Sequence, residues 1–137
     1  MSKVTLSTQL PASANSVWKL IGGFNALPDW HPAIAKSELS DDGSERTLHL
    51  VGGGTIVERL ETVGDERTYS YSVLKSPLPV RDYLATIGVR PNVDGTGCTV
   101  EWSGDFRAAN VPDNEAVRVI QGIYQVGLDN LSRIFGI

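Results

Sequence analysis

The sequence predicts an α+β fold: a curved antiparallel sheet of about seven strands wrapped around a long C-terminal helix, with two short helices after the first strand. Three observations lead there. From Ala33 to Phe106, segments of alternating apolar and polar residues follow one another, separated by turns that carry Gly or Pro. Beyond Pro112 the apolar residues change to helical spacing and hold it over several turns. The length of 137 residues, with 41% hydrophobic and 20% charged residues, fits one domain spanning 1–137 around one packed core.

The elements follow in order. Val4, Leu6, Thr8 and Leu10 alternate with Thr5, Ser7 and Gln9, which predicts a half-buried strand ended by Pro11. Ser13 is placed to cap a helix whose stripe is Val17, Trp18, Leu20 and Ile21 and which stops at Gly22-Gly23. A second short helix is expected over Phe24 to Leu27, and then Pro28, Asp29 and Pro32 break regular structure around Trp30 and His31. Ala33–Leu39, Arg46–Leu50, Thr55–Thr62, Arg67–Leu74, Arg81–Arg90 and Gly97–Phe106 read as strands of a meander, paired consecutively and antiparallel. Ala116, Val117, Ile120, Ile123, Tyr124, Gly127, Leu128, Leu131, Ile134 and Phe135 form the stripe of the last helix, and Pro112-Asp113-Asn114-Glu115 supplies a cap and an acidic first turn. About 22 residues at 1.5 Å each make a helix of roughly 33 Å, long enough to cross a sheet.

Composition removes several function classes. The net charge is -4 and no two Lys or Arg are adjacent, so no basic footprint for nucleic acid or an anionic membrane is present. His31, His49 and Cys98 are scattered, no metal ligands stand at metal-site spacing, and no cofactor is expected. Gly52-Gly53-Gly54-Thr55 lacks the Lys and the following helix of a phosphate-binding loop. Met1-Ser2-Lys3-Val4-Thr5 already alternates like a strand with no apolar signal core behind it, so a cytoplasmic location is expected.

The element order, together with Val17-Trp18, Leu27-Pro28-Asp29-Trp30-His31-Pro32, Gly52-Gly53-Gly54-Thr55-Ile56-Val57-Glu58 and Ser76-Pro77-Leu78-Pro79-Val80, resembles the polyketide-cyclase/dehydrase-like branch of the START/SRPBCC superfamily over essentially the whole chain. The resemblance implies a helix-grip fold with a ligand cavity between the sheet and the last helix. It also implies a cavity mouth near the Gly52-Gly53-Gly54 turn and the Ser76–Val80 loop. Proteins of this kind include aromatase/cyclases, lipid carriers and hormone receptors, so one fold serves several functions.

Strand parity says which side chains line such a cavity. The apolar members mark an inner face holding Leu48, Leu50, Ile56, Leu60, Tyr69, Tyr71, Val73, Tyr83, Ala85, Ile87, Val89, Val100, Trp102 and Phe106, and Arg46 and Glu58 share that face. A three-residue loop at Gly52–Gly54 pairs Leu50 with Ile56 and Leu48 with Glu58, leaving Arg46 diagonal to Glu58. The next hairpin, closed through Val63–Glu66, puts Leu60 opposite Tyr69 and Glu58 opposite Tyr71. Arg46, Glu58 and Tyr71 therefore converge, and a carboxylate between Ile56 and Leu60 needs a partner. Either Glu58 moves a proton on a ligand, with Tyr71 and Arg46 assisting, or Arg46 and Glu58 merely satisfy each other.

His31 is a second candidate acid or base, with local hydrogen bonding in a Pro-constrained turn as the alternative. Trp30, Tyr69, Tyr83, Trp102 and Tyr124 are candidate ligand-binding aromatics or plain core. Three functions follow. The first is binding of a small hydrophobic or aromatic molecule in an enclosed pocket. The second is a cyclase-like enzyme using Glu58 or His31. The third is a regulatory or protein-interaction domain in which the cavity is closed or residual; an exposed apolar patch at Leu78, Phe135 and Ile137 would favour it, and that surface is also where a homodimer would form.

Overall fold

The computed structural model describes residues 1–136. Seven strands form one antiparallel sheet: β1 (Ser2–Leu10), β2 (Ile34–Leu39), β3 (Glu45–Leu50), β4 (Thr55–Gly64), β5 (Thr68–Lys75), β6 (Val80–Pro91) and β7 (Cys98–Ala108). Their order across the sheet is β1-β7-β6-β5-β4-β3-β2, so the meander runs to one edge and β1 returns against β7 at the other. The expected fold class stands. α1 (Ala14–Ile21) opens at Ser13, whose hydroxyl oxygen accepts the Ser16 N–H at 3.1 Å.

The second short helix is not where it was expected. Residues 23–26 make only a turn, and a single 3-10 turn covers Leu27–Asp29, because Pro28 supplies no N–H to continue an α-helix from Phe24. α2 (Asp113–Ile134) has 22 residues and an acidic first turn, but Pro112 occupies the cap position and no side chain caps the helix.

The core lies between the inner sheet face and α2. Ala116, Ile120, Tyr124, Gly127, Leu128 and Leu131 of α2 are buried, and the helix lies across β1 and β7. Each large apolar side chain among them contributes about 1.5–3 kcal/mol on burial. A clasp from the Pro-rich segment holds the helix: His31 Nε2 donates to the Ile123 carbonyl at 2.8 Å, and Asn130 Nδ2 donates to the Trp30 carbonyl at 2.9 Å. Leu78 and Phe135 pack against the core rather than forming an exposed patch, and Ile137 lies outside the described residues.

Both hairpins of the expected site differ in register by two residues. The Gly52–Gly54 loop is longer than three residues; His49 pairs with Thr55, Leu48 with Ile56 and Arg46 with Glu58 directly. In the next hairpin Glu58 faces Val73 and Leu60 faces Tyr71, with an extra residue, Glu61, bulged before Thr62. A shift of two keeps every side chain on its face. The inner-face assignment of Arg46, Glu58 and Tyr71 is therefore unaffected, and the charged pair is drawn tighter.

Candidate functional site

Glu58, on the inner face of β4, is 5% exposed, and Arg46, on β3, is 1% exposed. Arg46 Nε donates to Glu58 Oε1 at 2.8 Å. Its Nη2 lies 2.6 Å from the same oxygen without the angle of a hydrogen bond, so that approach is an ion contact. Nη1 donates to the Phe24 carbonyl at 2.6 Å and, at 3.4 Å, to the Tyr69 hydroxyl. The guanidinium carbon sits 4.3 Å from the Phe24 ring centroid and 5.0 Å from that of Tyr71. These ring faces favour the cation where water is excluded.

Electrostatics follow from that enclosure. Burial pushes the Glu58 pKa up, and the pull of Arg46 does not fully offset it. Burial alone disfavours the Arg46 charge, but Tyr69, Glu58 and Tyr71 around it outweigh that and raise its pKa. Arg46 remains the fixed charge of the pair, and Glu58 is the member that titrates.

Glu58 stands at the wall of an internal cavity of about 30 Å³. Tyr71, Tyr83 and His31 supply its other polar groups, and Leu27, Ile34, Leu48, Ile56, Leu78, Trp102 and Ile123 complete the lining. Such a volume holds about one or two water-sized molecules. The enclosed pocket expected from sequence is thus reduced by packing to a cavity smaller than an organic ligand. Trp102 stacks on Tyr124 with centroids 4.4 Å apart, and the Tyr83 and Tyr124 hydroxyls are hydrogen-bonded to each other. Trp102 Nε1 donates to the Tyr71 hydroxyl at 3.0 Å. Burial raises the pKa of Tyr71, Tyr83 and Tyr124 alike, keeping all three phenols neutral.

A family model described as polyketide cyclase / dehydrase and lipid transport matches residues 1–136. The chain belongs to that family. Its relatives of known structure include the protein XoxI from Bacillus cereus, 45% identical, with a TM-score of 0.95 over 98% of this chain and 96% of that one. A START superfamily protein from Mycobacterium smegmatis is 15% identical, with a TM-score of 0.80 over 97% of this chain and 96% of that one. The Zhui aromatase/cyclase from Streptomyces sp. R1128 is 17% identical, with a TM-score of 0.75 over 94% and 90%. These last two establish the helix-grip fold alone. No curated protein matches the chain.

Within this family fold, the sequence-derived candidates divide into two groups. Glu58, Tyr71, Tyr83, Trp102 and His31 reach the cavity wall. Arg46 stands behind Glu58, Tyr69 closes over Arg46, Trp30 packs behind Trp102 at 5.4 Å between centroids, and Tyr124 lies under Trp102. These four support the wall rather than line it. The expected acid–base role of His31 is not what its geometry offers. Nε2 is held by the Ile123 carbonyl and Nδ1 accepts the Ala33 N–H at 3.2 Å, so neither nitrogen is free. Burial lowers its pKa and keeps the ring neutral. Leu27, Ile34, Leu78 and Ile123 were missed as lining; Leu78 lies in the loop already placed at the mouth, and Ile123 in the apolar stripe of α2.

Among the described residues no group of His, Cys, Asp and Glu is arranged to hold a metal, and no helix is long and apolar enough to cross a membrane.

Proposed function

We propose that the protein encloses a small hydrophobic or aromatic molecule between the sheet and α2, with Glu58 and Tyr71 holding its polar end. The observation that carries this reading is a buried carboxylate on the wall of an internal cavity otherwise built of aromatic and aliphatic groups. Arg46 engages only Oε1, which leaves Glu58 able to accept a further hydrogen bond. A ligand larger than the cavity displaces Leu78, a half-buried side chain on the short Ser76–Pro79 connection between β5 and β6. The family description, which joins cyclases with lipid transport, agrees with an apolar ligand.

The test is a panel of small phenols and aromatic or fatty carbonyl compounds, screened by ligand-observed NMR against the wild type and Glu58→Gln. Phenols that bind the wild type are expected to lose about tenfold in affinity in the variant, as for one charge-assisted hydrogen bond. A panel without a binder, or equal affinity for both proteins, contradicts the reading.

The raised pKa of Glu58 favours one further reading, in which it takes and returns a proton on a bound carbonyl compound. Turnover by the wild type, with retention but no turnover in Glu58→Gln, supports this enzyme over the binding protein.

A further inference from the structure

Over the end of the β5–β6 hairpin lies a groove of about 800 Å³, lined on the outer face of the sheet by Arg59, Ser72 and Leu84 and reaching inward to Tyr83. It exists because the sheet is split there. β5 continues to Lys75 and β6 starts at Val80, yet their pairing ends at Ser72 with Leu84. Each strand bulges at the facing position: β5 carries Leu74 as an extra residue against β4, and β6 makes its irregularity against β7 at Asp82, whose φ is 52°. Two facing bulges bend the strands apart and turn side chains outward.

Charge accounts for the split as well. Continuing the Ser72–Leu84 register would set Lys75 directly opposite Arg81, and like charges in that position repel. The acidic side chains of the groove are already engaged, Glu61 by Arg59 at 2.9 Å and Asp82 by Arg107 at 3.6 Å. Among the described residues, Lys75 and Arg81 have no ion-pair partner. Beside these two free cations lie Leu74 and Leu84, exposed by 44% and 46% on a chain whose net charge is -4.

We propose that this groove is a second binding site, for a small amphipathic organic anion whose acidic group bridges Lys75 and Arg81 while its apolar body rests on Leu74 and Leu84. The anion supplies the counter-charge that neither strand provides. The site shares only Tyr83 with the internal cavity and does not depend on that cavity being filled.

The probe is 1-anilinonaphthalene-8-sulfonate, with the uncharged N-phenyl-1-naphthylamine as control. Amide shifts on adding the sulfonate are expected at Val73–Lys75 and Arg81–Leu84. Lys75→Gln/Arg81→Gln should weaken the sulfonate at least tenfold and leave the neutral compound unchanged. Leu74→Ser should weaken both where they share the groove, and Glu58→Gln should alter neither there. The proposal is overturned if the sulfonate binds the double variant as it binds the wild type, or if its shifts fall elsewhere. Sulfonate binding that responds to Glu58→Gln but not to Lys75 and Arg81 places the anion in the cavity, which ends this proposal and leaves the cavity reading standing.

Discussion

Arg46 and Glu58 are held in a setting where each is costly without the other. Removing one partner of a buried pair typically costs about 3–5 kcal/mol, because the remaining charge stays desolvated. Arg46→Met is therefore expected to lower the unfolding free energy in urea at pH 7 by about that amount. The deficit should shrink in acid, as Glu58 takes a proton. In the wild type the sign is the same: a carboxyl whose folded pKa is raised above its ordinary 4.5 contributes stability that is full below that value and lost as pH rises through the folded pKa. A carbon-detected titration of side-chain carboxyls should find Glu58 above 4.5. It should find Asp42, hydrogen-bonded by Ser44 and Ser40 in an exposed turn, pulled down to about 2. A Glu58 that titrates at or below 4.5 would mean that Arg46 outweighs burial and that the carboxylate is not tuned for proton exchange.

At the scale of elements, α2 carries two glycines with opposite demands. A Cβ at Gly127 would lie 2.7 Å from His31 Cδ2 and 3.0 Å from Trp30 Cζ3, so the glycine lets the helix settle onto the Trp30–His31 clasp. Gly122 is exposed, and a Cβ there would meet nothing within 4 Å. Gly122→Ala is expected to stabilise by about 0.5–1 kcal/mol through helix propensity alone. Gly127→Ala gains the same propensity but must displace packed rings, and a net loss of about 1–2 kcal/mol is expected. Thermal denaturation should move the two melting temperatures in opposite directions. The clasp also explains why the Trp30-His31 motif is a poor catalytic candidate: its polar groups are spent on holding the helix.

For the whole molecule, the sheet, its meander and the crossing helix were legible because alternation and helical period report which face is buried, and burial decides the fold. The inner placement of Arg46, Glu58 and Tyr71 was legible for the same reason, even though both hairpin registers were off by two. The bulges at Glu61, Leu74 and Asp82 were not, since an extra unpaired residue is a property of backbone hydrogen bonds and leaves little mark on composition. Nor were the contacts that support the cavity wall. The Phe24 ring over Arg46 and the Tyr83–Tyr124 hydroxyl pair join residues 22 and 41 positions apart, which no local pattern connects. The family and the fold are thus firm, while the cavity's occupant is the point on which the functional account turns. Native mass spectrometry of the protein purified from its source cells tests this most directly. A small organic molecule should travel with the folded chain, be released on denaturation, and be carried less by Glu58→Gln. A wild-type chain that shows only its own mass under both conditions would contradict the proposed binding function.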